Sequence, residues 1–111
     1  MSTVTISPGA LVTKDPSDIK VYVFDWDTNN LAVGVTISGV PVWTITAVKP
    51  STTDTNLTKD NESVLAGSRK TQVRLLGGTV GQTYEIANKI VTNETPAQTK
   101  ERSFRVLIQD K

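Results

Sequence analysis

From residue 19 onward the chain is written in short runs where apolar and polar residues alternate, each stopped by Gly, Pro, Asn or Asp. That rhythm constrains the fold more than any other feature. A period of two places successive side chains on opposite faces of an extended strand. The first clear run is "IKVYVFDW" (19–26), closed by the turn cluster "DTNN" (27–30). "LAVGVTI" (31–37) and "VWTITAV" (42–48) follow, with "SGVP" (38–41) breaking between them. "KTQVRLL" (70–76), "QTYEIANKIVT" (82–92) and "RSFRVLIQ" (102–109) are as clear, and "SVLAG" (63–67) is a shorter candidate. Thr, Val and Ile dominate these runs, and β-branched side chains fit a pleated surface better than a helix. About seven strands with breaks every ~8–12 residues predict an all-β, antiparallel sandwich.

The polar stretch "KPSTTDTNLTKDNE" (49–62) reads as a loop or a poorly packed edge, and "NETPAQTKE" (93–101) as the last connection. A chain of 111 residues suits one domain. Residues 1–18 read as an extended N-terminal arm and 19–111 as the sandwich. In the arm, Val4 and Ile6 alternate with Thr3 and Thr5 before Pro8-Gly9 and Asp15-Pro16 interrupt. The expectation is that residues 1–9 add to a neighbouring subunit and residues 10–18 to the domain's own edge.

The densest glycine cluster is "GGTVG" (77–81). A phosphate loop needs G-x-x-x-x-G-K-[ST] before a helix, and a dinucleotide fingerprint needs G-x-G-x-x-G. Neither is present, and a strand follows, so the glycines read as a tight turn that tolerates positive φ. Tyr84 then stands at the start of the next strand. In immunoglobulin domains a tyrosine there bonds back to the backbone at a corner, two residues before a core cysteine. Ile86 holds that cysteine position here, so an apolar contact replaces the disulfide. Trp43 occupies the strand where such domains place their buried tryptophan. The predicted core is therefore Trp43, Tyr84, Ile86, Phe104 and Val106, supported by Ile90, Ile108, Val73, Leu75, Ile45, Val33 and Val35. Asn88 falls on the inward face and needs hydrogen-bond partners, or marks the sandwich end. In "YVFDW", Tyr22, Phe24 and Trp26 share one face opposite Val21 and Val23, which fits plain burial or an interface patch.

Most chemistry is excluded by absence. The chain has no Cys and no His, so it has no disulfide, no thiolate and no imidazole. "DWDTN" (25–29) spaces Asp25, Asp27 and Asn29 as in a calcium loop, but the glycine and glutamate such a loop requires are Asn30 and Thr36. Asp54 and Asp60 sit in a polar stretch with nothing to exclude water, and no motif pairs a hydroxyl with a base. We expect no catalytic residue, no metal and no cofactor. A net charge of +1 gives no footprint for nucleic acid, and no apolar run approaches the ~20 residues that span a bilayer. The N-terminus carries no secretory pattern, so the acceptor-like triplets at Asn56, Asn61 and Asn93 are expected to be unused, with the protein made in a cytoplasm.

Several segments together resemble a set of small immunoglobulin-like proteins of tailed bacteriophages. They are "KDPSDIKVYVFDW", "PVWTITAV", "RLLGGTVGQTYEIANKIVTNET" and "RSFRVLIQD". The resemblance rests on the Lys-Asp-Pro opening at 14–16, Asp25-Trp26, Trp43, the glycines before Tyr84, Asn88, and the Arg-rich last strand. It implies an immunoglobulin- or fibronectin-type-III-like sandwich and a structural role in the virion as a fibre–tail adaptor at the neck or tail. It implies as partners other virion structural proteins, in multiple copies in a symmetric assembly, put together in the host cytoplasm. No binding residue transfers. Val4, Ile6 and Trp26 are the candidate assembly contacts, and 49–62 is a possible contact loop. Capsid decoration is the alternative of the same class. A carbohydrate- or cell-surface-binding module, or an enzyme accessory domain, are those of another.

Overall fold

A computed structural model describes residues 3–6, 9–26, 34–64 and 70–110. Eight strands are described: β1 (Thr3–Ile6), β2 (Leu11–Lys14), β3 (Lys20–Asp25), β4 (Ile37–Lys49), β5 (Leu57–Val64), β6 (Lys70–Gly77), β7 (Thr83–Thr92) and β8 (Thr99–Ile108). They form two four-stranded sheets. The first has the order β1-β3-β6-β5 and the second β2-β8-β7-β4. With β2 set aside, four strands face three, the division of an immunoglobulin constant-type sandwich. No helix occurs among the described residues.

The alternation explains which side chains meet. Tyr22 and Phe24 from β3, Val73 and Leu75 from β6, Trp43 from β4, Tyr84 and Ile86 from β7, and Phe104, Val106 and Ile108 from β8 form the main core. Phe24 is its hub, with Trp26, Phe104 and Trp43 at ring-centroid distances of 5.4, 6.1 and 6.4 Å. A smaller cluster of Trp26, Ile37 and Ile90 closes one end.

Four features differ from the sequence-based expectation. The sheets are not wholly antiparallel: β1 runs parallel to β3 and β2 parallel to β8. Residues 3–6, expected to add to a neighbouring subunit, are paired with β3 within the chain, whereas residues 11–14 lie on the domain's own edge, as expected of 10–18. The "SGVP" break does not end a strand, because β4 passes through it by a register shift between Ser38 and Val42. Of the strand expected at 31–37, residues 31–33 lie outside the described residues, while Gly34 is a turn with φ 83° and β4 begins at Ile37. The polar stretch agrees with the edge reading: its second half belongs to the edge strand β5, kinked between Asp60 and Ser63, where Asn61 has φ 53°. A bulged, polar edge is a poor template for further pairing, which is why its sequence looks like a loop.

Candidate interaction surface

The strand registers give the sandwich two distinct ends. At one lie the connections 15–19, 50–56 and 78–82, here called the corner end. At the other lie residue 26 and the connection 93–98, here called the node end.

The node is a buried polar cluster joining the two sheets. Trp26 follows β3, Thr71 opens β6, and Asn88 sits in mid-β7. The indole Nε1–H of Trp26 donates to Asn88 Oδ1 at 2.9 Å, and the Thr71 hydroxyl donates to the same oxygen at 2.6 Å. Asn88 Nδ2 donates to the carbonyl of Val42 at 3.2 Å. Asn88, on the inward face of its strand, is thereby satisfied. Burial makes such a network costly to break, because a stranded donor cannot find water. The Arg102 guanidinium lies 5.9 Å from the Trp26 ring and covers it from outside.

The corner end is wetter. The glycine cluster forms a tight turn. Gly78 has φ 106°, and a Cβ there would stand 2.7 Å from the Ile108 side chain. The Tyr84 hydroxyl accepts from the backbone N–H of Thr79 at 3.2 Å and donates to Asp54 Oδ1 at 2.6 Å. Asp54 also accepts from the N–H of Asn56 at 2.8 Å, and Asn56 Nδ2 donates to the Thr79 hydroxyl at 2.7 Å. The Tyr84 hydroxyl and the Asn56 amide hold the Asp54 carboxyl below its ordinary pKa. Gln82 ties the same connection down, accepting from Ser51 N–H at 3.1 Å and donating to the Ser51 carbonyl at 2.7 Å.

Lys14 is buried here too. Its Nζ donates to the carbonyls of Asp15 and Gly77, both at 2.9 Å, so it bridges the turn after β2 to the end of β6. Burial lowers its pKa, with Asp18 and Asp15 acting in the opposite sense.

Beside this end, on the outer face of the second sheet, lies an open cavity of about 410 Å3. Leu11, Leu107 and Thr83 line it, Pro50 and Gly81 bound it, and Lys49 and Arg105 bring two positive charges. Leu11 is 62% exposed and Val80, next to Gly81, 57%. They are the most exposed of the large apolar side chains described; Leu11 lines the hollow, and Val80 precedes Gly81 at its edge. Arg105 keeps only a 3.7 Å contact with Glu85.

Trp43, Tyr84, Ile86, Phe104 and Val106 are all buried. Ile6 and Trp26, expected as assembly contacts, are turned into the domain's own interior. Their apolar surface is taken by β3 and the node, so neither offers a contact outward in this structure. Val4 lies in β1 opposite Tyr22, and its side chain lies outside the described residues. Asp27 and Asn29 also lie outside them, and no group of metal-binding side chains occurs among the described residues. The sequence reading missed Lys14 and Leu11. Their strand is only four residues long, and only the parity of Val12 with Lys14 hints that the lysine faces inward.

Comparison with known proteins adds three findings. A family model described as podophage GP4 fiber-tail adaptor protein gp77 matches residues 14–107. No curated protein sequence matches the chain. Among solved structures, the cysteine protease inhibitor EhICP2 from Entamoeba histolytica superposes with a TM-score of 0.53 at 11% identity. That match covers 96% of this chain and 95% of the other; at such identity it speaks for the fold alone.

Proposed function

We propose that this chain, which belongs to the podophage GP4 fiber-tail adaptor family, works as a rigid coupling piece. Several copies sit in a symmetric arrangement at the tail and hold the fibre through protein–protein contacts. Membership of the family, over residues 14–107, is the observation that carries the reading. The physics of the domain agrees with it. Both sheets are crossed by polar clamps, the core is aromatic, and each end is tied by side-chain hydrogen bonds. Such a body transmits force without rearranging.

The contacts are made by the sandwich's surface rather than by Ile6 or Trp26, which are already committed inside. Imaging purified particles by electron cryomicroscopy, with and without the gene, tests the reading. The expected result is density for this sandwich between tail and fibre. Particles lacking the gene should have filled heads and tails but no fibres. Fibres retained at normal number in its absence would overturn it.

A further inference from the structure

The corner end carries a socket and, on a different side, a knob that matches it. The socket is the 410 Å3 hollow on the outer face of the second sheet, apolar at Leu11, Leu107 and Pro50 and positive at Lys49 and Arg105. Lys49 has no ion pair among the described residues. The knob is the turn between β2 and β3, where Ile19 is 45% exposed beside the Asp18 carboxylate. Asp18 has only a 3.6 Å contact with Lys20.

This turn is held in shape. Asp15 Oδ1 accepts from the Ser17 N–H at 2.8 Å, and the Asp15 carbonyl accepts from the Asp18 N–H at 3.0 Å. The same carbonyl takes the buried Lys14 ammonium, which is anchored at its other side on Gly77. A buried cation thus fixes the base of an exposed acidic–apolar dipeptide. A preformed contact element loses little entropy on docking.

We propose that Ile19 of one copy enters the socket of the next, with Asp18 meeting Lys49 and Arg105. The occupant is a second copy of this chain because the chain itself displays the required chemistry, an aliphatic side chain joined to a carboxylate. The socket is large enough for one such side chain, and its two cations select an acid neighbour over a basic one. Knob and socket are different surfaces, so the contact is heterologous and repeats from copy to copy. Both lie at the same end of the sandwich. Neighbours are therefore related mainly by rotation about an axis along the strands, the relation that closes a ring. The inference rests on the adaptor reading for its setting.

The native chain has no cysteine, so introduced ones report cleanly. Phage particles are grown with the Leu11→Cys, Ile19→Cys double variant, purified and mildly oxidised. The expected result is a ladder of covalent multimers on a non-reducing gel, with neither single variant giving linked species. A double variant that is incorporated but stays monomeric overturns the contact, and so do dimers from a single variant. Should the cysteines prevent incorporation, charge reversal decides. Asp18→Lys should lower the number of copies per particle at least tenfold, and adding Lys49→Glu should restore most of it. Asp18→Lys incorporated as well as the native chain, or a loss that Lys49→Glu does not mend, overturns the contact. If the native protein is missing from purified particles altogether, it is the adaptor reading that fails. A protein present at full number but unlinked fails only the contact.

Discussion

Two tyrosines and two tryptophans divide the interior into a dry centre and bonded ends. Tyr84 and Trp26 each stand toward an end, and each has its polar tip engaged: the Tyr84 hydroxyl with Thr79 and Asp54, the Trp26 indole with Asn88. Tyr22 and Trp43 lie in the main core, and Tyr22 Oη and Trp43 Nε1 are buried with no hydrogen-bond partner among the described residues. The same side-chain types thus work in opposite ways. At the ends they fix one sheet to the other by direction. In the centre they supply volume, and the unpartnered N–H or O–H is tolerated for the sake of the ring. Direction at the ends and bulk in the middle is a division that suits a coupling piece, whose shape must not drift under load.

The comparison can be broken most forcefully at Trp43. Trp43→Ala removes bulk without breaking a hydrogen bond, and should cost about 3–5 kcal/mol through the cavity alone. A thermal melt within a degree or two of the native protein would show that the centre does not depend on volume. Asn88→Ala comes next. It leaves the Trp26 indole and the Thr71 hydroxyl with only each other, 3.3 Å apart. The expected loss is about 1–3 kcal/mol in chemical denaturation, and an unchanged midpoint would deny the node any directional role.

Tyr84→Phe should cost less, about 0.5–1.5 kcal/mol, because the freed Asp54 carboxylate and Thr79 amide can turn to water. Its pH dependence sharpens the point. The folded-state pKa of Asp54 is depressed, with the Tyr84 hydroxyl the first cause and the Asn56 amide the second. That contribution is present above the ordinary carboxylate pKa and lost as pH falls through the depressed value. The gap between native and Tyr84→Phe protein should therefore narrow in acid, and a gap constant from pH 7 to pH 2 would refute the Asp54 link.

Tyr22→Phe is the smallest change and the closest control. At neutral pH it should alter stability by less than about 0.5 kcal/mol, since no bond is lost. Burial, and then the Asp18 charge, push the Tyr22 hydroxyl up to about 12. A raised folded pKa gives stability that is complete below the unfolded value near 10 and lost as pH climbs toward about 12. The variant should thus resist alkaline unfolding better than the native chain. If Tyr22→Phe weakens the domain as much as Tyr84→Phe does, centre and end are not different after all.

Much of the interior was legible because the alternation in β3, β6, β7 and β8 is long enough to declare its inward face. Asn88 on that face called either for buried hydrogen-bond partners or for a place at the sandwich end, and it has the partners. The partners were not readable, since Thr71 and Trp26 come from other strands and nothing local marks them. The two parallel pairings were equally hidden. β1 and β2 are four residues each; the alternation of Thr3–Ile6 shows an extended segment but not its partner, and the partner of β2 lies at the far side of the sequence. Polar edges stayed ambiguous. β5 reads as a loop or an edge alike because an edge strand wants the residues loops use. The family resemblance pointed to the role, while the surfaces that serve it depend on which side chains fall together across distant strands. The hollow at Leu11, Leu107 and Pro50 joins three separate segments.

The pairing of β2 with β8 also governs when the domain can be finished. Leu11 lies opposite Arg105 and Lys14 opposite Ile108. The second sheet therefore lacks this edge strand until residues 105–108 have left the ribosome. Strands so far apart in sequence pair slowly, because a long loop must close first. Leu11, part of the hollow on the outer face, reaches its place only when β8 arrives. A copy still being made thus has no completed hollow to offer, and finished subunits are the ones that can join.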